Sequence, residues 1–322
     1  MKYISKENKI FIAGHKGMVG SAIARNLKNY GYNNLLTVKR TELDLKDTSA
    51  VKNWYKVNKP DVVVIAAAKV GGILANSNFP VEFLLDNLKI QNNLIEGAWK
   101  NGVNRLLFLG SSCIYPKFAP QPIKEESLLS DSLESTNQWY AIAKITGIKL
   151  CEALNLQYDF DAISVMPTNL YGPGDYYHQE KSHVIPALIS KFENAVKNHH
   201  KEVICWGSGS PYREFLYVDD LADACKFLLE NWKPHKNDIK YLNVGTGKDM
   251  KIKTIAEIIS KKCGFNGEIV WDKSKPDGTP KKQLDISKIR SLGWEPKTSF
   301  DEGLNQTIQN YRFLISNNEL RQ

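Results

Sequence analysis

Ile10-Phe11-Ile12-Ala13-Gly14-His15-Lys16-Gly17-Met18-Val19-Gly20 decides the fold. Its first four residues are an apolar run of strand length. Glycines then recur at every third position, and a helical period continues through Ala22, Ile23 and Leu27. A strand, a glycine turn and a helix start make a pyrophosphate cradle. The glycines let the backbone approach the anion, and the amides of the helix N-terminus meet it. Three glycines alone say little; their place between a strand and a helix gives them weight. All seven residues from Gly14 to Gly20 are candidate cofactor contacts.

Working outward, the next apolar run, Leu35 to Val38, ends in Lys39-Arg40. In a dinucleotide fold an acid at that strand end receives the ribose 2′-hydroxyl of NAD. A doubly basic tip suits a 2′-phosphate instead, and Lys16 in the glycine turn adds to it. The expected cofactor is therefore NADP(H), with Arg40 and the nearby Asp44 as candidate contacts. Val62 to Ala68 is apolar throughout, as for a strand buried on both faces of a parallel sheet. The small residues at its end, Ala67 among them, leave room for a cofactor. A helix from about Val81 to Trp99, then strands over Arg105–Leu109 and Ile163–Met166, continue the alternation. That pattern predicts an α/β protein with a Rossmann-type, doubly wound parallel sheet. Ligands of such sheets sit at the carboxyl ends of the strands.

Gly110-Ser111-Ser112-Cys113 lies at one such end. Thr136 and Asn137, plausible helix caps, precede Tyr140-Ala141-Ile142-Ala143-Lys144, whose Tyr and Lys share one helical face. A lysine ammonium beside a phenol favours phenolate and lowers the tyrosine pKa from ~10 toward neutrality. Such a phenol moves protons to and from a substrate oxygen. With the Ser111 hydroxyl facing it, the pair forms an oxyanion site for a developing alkoxide. Taken alone, Cys113 reads as a small buried hydrophobe, and His183 as a capping or core histidine.

Composition bounds the rest. Apolar residues make up 42% and charged residues 24%, ordinary for a soluble globular chain, and 322 residues suffice for a large α/β domain with an appended lobe. No apolar run approaches bilayer length, and Met1 to Lys6 lead almost directly into a strand with no signal-like apolar segment. Five scattered cysteines without paired spacing argue for reduced thiols, a cytoplasmic location and no zinc site. The net charge of +8 is spread along the whole length. It reads as a solvated basic surface suited to anionic small molecules, not as a nucleic-acid stripe.

Gly14/Gly17/Gly20, Ser111 and Tyr140-x-x-x-Lys144 resemble, in that order, the nucleotide-sugar branch of the extended short-chain dehydrogenase/reductases. Ile12–Gly20, Ala66–Ile73, Gly110–Lys117 and Ser182–Leu188 narrow the resemblance to the GDP-L-fucose synthase family, the GDP-4-keto-6-deoxy-mannose 3,5-epimerase-4-reductases, over nearly the whole chain. The resemblance implies NADPH-dependent 3,5-epimerisation and 4-reduction of GDP-4-keto-6-deoxy-D-mannose to GDP-L-fucose. By resemblance Cys113 is the base and His183 the acid of the epimerisation. Ser111 and Tyr140 hold the C4 oxygen, and Lys144 tunes Tyr140 and anchors the nicotinamide ribose. Leu109, Gly110, Ser112, Pro167, Asn169, Leu170 and His183 join the cofactor contacts. Lys191 and Trp206 contact the substrate, Asp277 and Lys282 the GDP, and Arg213, after a Gly-rich bend, offers a fork for its diphosphate.

The resemblance further implies a homodimer built on the helix near Val81–Trp99 and the Tyr140 helix. The expected NADP-binding domain spans residues 1–172 plus about 216–246; 173–215 and 247–322 form the GDP-sugar lobe. Within it, His178 to Asn198 supply a substrate-side loop and helix. Two stretches depart from the family pattern, Asn137-Gln138-Trp139 and Gly172-Pro173-Gly174-Asp175-Tyr176-Tyr177, and both are expected near the sugar pocket. Alternatives are the same chemistry, or C4 reduction alone, on a related GDP-4-keto sugar such as the colitose precursor. A sugar 4-epimerase is disfavoured by Lys39-Arg40, a dehydratase by the lack of an acidic pair beside Tyr140. A non-catalytic nucleotide sensor is disfavoured by the joint presence of the catalytic set.

Overall fold

A computed structural model describes residues 2–179, 182–236 and 238–320. Its central sheet has six strands, all parallel. Strands β1 (Ile10–Ala13), β2 (Leu35–Leu36), β3 (Val62–Ile65), β4 (Arg105–Leu109) and β5 (Ala162–Pro167) lie in the order β2-β1-β3-β4-β5, with Tyr241–Val244 beyond β5. The chain leaves β1 toward β2 and returns to β3 on the other side, so the crevice opens at the carboxyl ends of β1 and β3. The strand expected over Leu35–Val38 is only Leu35–Leu36, because pairing with β1 stops at Phe11. The run Val62–Ala68 leaves the sheet at Ile65, and its three alanines form the crevice floor. The helix expected over Val81–Trp99 spans Pro80–Lys100, with the proline in its first turn, where no amide hydrogen is missed.

Two apolar cores organise the molecule. The larger surrounds the parallel sheet and takes in Leu284, Ile286, Ile289 and Trp294 from far along the chain. The smaller gathers Tyr171, Ile185, Ile189, Phe192, Phe215, Ile255, Ile259, Leu304 and Ile308. The strand Tyr212–Tyr217 runs through this second region, pairing with Asn169–Tyr171, Asp249–Lys251 and Lys281–Lys282. The expected substrate-side helix runs over Val184–Lys197; residues 180 and 181 of the loop before it lie outside the described residues. One carboxylate joins the two regions. Glu214 is fully buried and accepts the backbone N–H groups of Thr246 (2.6 Å), Gly247 (2.8 Å) and Leu284 (2.7 Å). Its carbonyl takes hydrogen bonds from Thr168 and Asn169 at the end of β5.

Candidate active site

The glycine turn works as its spacing implies, with the labour divided. Gly14 has φ +91°, and a Cβ there would stand 2.6 Å from the Ala67 nitrogen; at Gly20 a Cβ would stand 2.2 Å from the Gly14 oxygen. These two glycines therefore allow β1, the alanine floor and the first helix (Met18–Asn29) to touch. At Gly17, which caps that helix, a Cβ would stand 3.4 Å from the Gly14 oxygen. Gly17 to Gly20 line a cavity of about 780 Å³ whose other walls include Leu109, Gly110, Ser112, Lys144, Pro167, Asn169 and Leu170. It also has Ala66 and Ala68 in its wall, while Ala67 is spent on Gly14. His15, Lys16, Arg40 and Asp44 do not line it. Lys16, Lys39 and Glu42 act on His15, and burial together with Lys16 holds that imidazole below its ordinary pKa. Asp44 is exposed and accepts the Lys46 amide at 3.0 Å.

A second cavity, about 330 Å³, is lined by Cys113, Glu134, Asn137, Lys191, Trp206, Arg213, Asp277 and Lys282. Ser111, Tyr140, His183 and Asn169 line both cavities; Lys144 belongs to the first alone and Cys113 to the second alone. The two chambers thus meet at a serine, a tyrosine and a histidine.

Local structure explains how each side chain arrives there. Ser111 ends β4 and caps a short turn, Ser112–Ile114, its Oγ accepting the Cys113 amide at 3.4 Å. The helix Gln138–Tyr158 lies tightly on the sheet because Gly147 has no side chain: a Cβ there would meet the Phe108 ring at 2.5 Å. Gln91 reinforces the contact by donating to the Ala143 carbonyl at 2.6 Å. Asn137 is the residue that precedes this helix, without a side-chain cap bond. His183 precedes the helix Val184–Lys197, whose buried Ile185 and Ile189 hold that end in place.

The electrostatics of Tyr140 differ from the sequence expectation. Burial, with some help from Cys113, pushes its phenol above the ordinary tyrosine range. The Lys144 ammonium is not aimed at the hydroxyl: it donates to the Leu109 carbonyl at 2.7 Å and lies 4.7 Å from the Phe108 ring centroid and 5.7 Å from that of Tyr140. Desolvation lowers the pKa of Lys144 to about 8. In the protein alone, desolvation outweighs the neighbouring charge for both groups. Burial also lowers His183 and raises Cys113.

In the second cavity, Lys191 donates to the Ile204 carbonyl at 2.8 Å and sits 5.5 Å from the Trp206 ring. Arg213 donates to the carbonyls of Tyr212 (2.8 Å) and Asp277 (3.4 Å), not to Glu214. The Asp277 carboxylate is held by the Ser208 amide and hydroxyl at 2.7 and 2.8 Å. The two departures from the family pattern border the chambers differently. Gln138 and Trp139 line neither cavity, and Gly174, Asp175 and Tyr176 line the first rather than the second. Sequence reasoning missed Glu134, which is buried, ion-paired to Lys117 at 3.0 Å and set on the second cavity. The carboxylate three residues before a helix start was a signal; its distant lysine partner was not.

Residues 10–245 match the model of the NAD dependent epimerase/dehydratase family. The chain belongs to this family. Within it, the chain is 54% identical over 312 residues to GDP-L-fucose synthase 1 of Arabidopsis thaliana, covering 97% of this chain and 95% of that one. It is 50% identical over 311 residues to GDP-L-fucose synthase of Escherichia coli K12, with coverages of 94% and 96%. GDP-L-colitose synthase of Yersinia pseudotuberculosis is 39% identical, with coverages of 94% and 97%. Among solved structures, a GDP-6-OMe-4-keto-L-xylo-heptose reductase from C. jejuni superposes with a TM-score of 0.90 at 35% identity, covering 96% of this chain and 99% of that one. A GDP-L-fucose synthetase from Naegleria fowleri bound to NADP gives 0.88 at 27%, with coverages of 99% and 98%. The epimerase/dehydratase fold and the Rossmann-type sheet agree with each other.

Proposed function

We propose that this chain converts GDP-4-keto-6-deoxy-D-mannose to GDP-L-fucose by 3,5-epimerisation followed by NADPH-dependent reduction at C4. The observation that carries the reading is the meeting of two chambers at Ser111, Tyr140 and His183, with a thiol on one side and the glycine cradle on the other. The C4 ketone acidifies the hydrogens on C3 and C5, because the carbanion delocalises as an enolate. Cys113, as thiolate, takes the proton from carbon on one face, and His183, as imidazolium, returns one from the other. Ser111 and Tyr140 donate hydrogen bonds to the C4 oxygen, steadying first the enolate and then the alkoxide. In the final step the Tyr140 phenol protonates that oxygen. Burial holds His183 below its ordinary pKa, so the step needing its imidazolium speeds up as pH falls toward that value.

The cofactor is NADP(H), which supplies a hydride to C4. The residues fit it: side chains at Gly14, Gly20 or Gly110 would collide with the walls that shape the cradle. Lys16, Lys39 and Arg40 suit its 2′-phosphate; Lys144, Pro167, Asn169 and Leu170 suit its nicotinamide end. Lys191, Trp206, Arg213, Asp277 and Lys282 hold the GDP-sugar. The parallel-sheet region, residues 1–172 with about 216–246, serves the cofactor, and 173–215 with 247–322 serve the GDP-sugar.

Two copies pair through the helices Pro80–Lys100 and Gln138–Tyr158, which pack together and expose Val81, Leu85, Trp139 and Ile142. Among the described residues no helix is long and apolar enough to cross a membrane. A cytoplasmic setting, where the five free thiols stay reduced, suits the protein. A second reading, the same site acting on a related GDP-4-keto sugar, is favoured by the likeness to the colitose synthase and the heptose reductase. Purified protein given NADPH and GDP-4-keto-6-deoxy-D-mannose is expected to consume NADPH and yield GDP-L-fucose. No turnover with this or any GDP-4-keto sugar would overturn the enzyme reading; turnover only with another sugar would select the second.

A further inference from the structure

We propose that Lys282 serves the epimerisation as the counter-ion of the working Cys113 thiolate. This rests on the epimerase-reductase reading, in which Cys113 is the carbon base. Both side chains line the second cavity. Backbone pairing places Lys282 on this chamber. The strand Lys281–Lys282 runs parallel to Tyr212–Tyr217, with Lys282 opposite Arg213. The residues that follow it are stitched to the segment that follows Cys113. Ile123 donates to the Gln283 carbonyl at 2.8 Å, Gln283 donates to the Gln121 side chain at 2.9 Å, and Asp285 donates back to the Ile123 carbonyl at 2.8 Å. Asn243 clamps both strands by donating to Ile123 and Asp285.

The charges around the pair single it out. Lys282, Lys144 and Tyr140 act with the thiol, and the Ser111 hydroxyl bonds to it; Cys113, Arg213 and Glu134 act on Lys282, and His183 shares the chamber. Lys144 is turned to the Leu109 carbonyl in the other cavity, and Arg213 to the carbonyls of Tyr212 and Asp277. The strongest charge acting on the thiol is Lys282, and the strongest acting on Lys282 is the thiol. Burial raises the one and lowers the other, and each charge favours the ionised form of its partner. The Sγ–H bond breaks and its proton leaves to water, the Lys282 ammonium balancing the charge left on sulfur. Sγ keeps the electron pair and uses it to take the proton from C3 or C5, whose C–H pair passes into the enolate. Carbon then receives a proton from the His183 imidazolium. The proton now on sulfur leaves to water, and His183 regains one from water.

Thiol alkylation separates this role from contact with GDP, because it needs no sugar. Full-length protein saturated with NADP⁺ is treated with iodoacetamide across a pH series, and modification of the Cys113 peptide is followed by mass spectrometry. For Lys282→Met, Cys113 is expected to react roughly tenfold more slowly near neutral pH, with its midpoint moved up by about one unit or more. Lys282→Arg, which keeps a cation, is expected to stay close to wild type. Lys282→Gln runs beside the Met variant, and NADPH affinity shows which variants are folded. An unchanged midpoint in folded Met or Gln variants, even with a raised KM for the GDP-sugar, would overturn the proposal and leave Lys282 a phosphate contact. An outcome of this assay in either direction is independent of which sugar the enzyme turns over.

Discussion

The cofactor cavity takes much of its wall from three unbroken runs of chain, Gly17–Gly20, Leu109–Ser112 and Pro167–Leu170. The substrate cavity is walled by charged and aromatic side chains, Glu134, Lys191, Trp206, Arg213 and Lys282 among them, drawn from segments far apart in the chain. A wall of consecutive residues is fixed by local geometry. A wall of long side chains must be held from outside, and Glu214, the Glu134–Lys117 pair and the Ile123–Gln283 stitching do that. The difference teaches where each chamber is vulnerable: the first to added volume, the second to lost clamps.

The boundary between the chambers is the most sensitive place. Tyr140→Phe removes the one phenol that lines both and is expected to lower NADPH-linked turnover about 10²–10⁴-fold. NADPH affinity, measured by fluorescence, should be unchanged; a loss below tenfold in turnover would show another proton donor.

Next is the clamp. Glu214→Ala leaves three buried backbone amides without their acceptor and is expected to cost about 3 kcal/mol or more in urea unfolding. Its effect should fall harder on KM for the GDP-sugar than on NADPH affinity. Equal effects on both would erase the contrast between the chambers.

Lys144 offers a test with opposite signs for stability and activity. Its folded pKa of about 8 lies below the ordinary 10.5, so between those values the unfolded chain binds a proton that the folded protein does not. Stability therefore gains as pH rises from about 8 toward 10.5, and below 8 the buried ammonium exerts its full destabilisation. Lys144→Met is expected to be inactive yet to melt higher at pH 7, with the advantage shrinking above pH 8. A lower Tm at pH 7 would contradict the account of its burial.

The smallest effect is expected at the basic pair Lys39-Arg40. Lys39→Ala with Arg40→Ala removes two exposed cations and should weaken NADPH binding roughly tenfold while leaving NADH untouched. Equal weakening of both cofactors would remove these residues from the 2′-phosphate.

What was legible in the sequence follows the same division. The glycine turn, the apolar β3 and the Tyr140–Lys144 helix are local patterns, and each lies where its spacing put it. The place of His183 at a helix start was visible through its family motif, not through the residue itself. Lys282 and Cys113 are brought together by backbone pairing across a long stretch of chain, which no local period encodes. The clamp at Glu214 left no local sign, because alternation along a strand cannot tell a solvated carboxylate from one buried under amides. The Tyr140 pKa was misjudged for a related reason: proximity is readable from spacing, but the direction of an ammonium and the depth of burial are not.

The central claim is that a thiol and an imidazole serve carbon acidity in the same pocket where Tyr140 serves reduction. It is tested most directly by incubating the protein with GDP-4-keto-6-deoxy-D-mannose and NADPH in deuterated water and reading the product by NMR. The account predicts an L-galacto product carrying deuterium at C3 and C5, with both labels lost in Cys113→Ser. A C4-reduced product without deuterium at either carbon would contradict it.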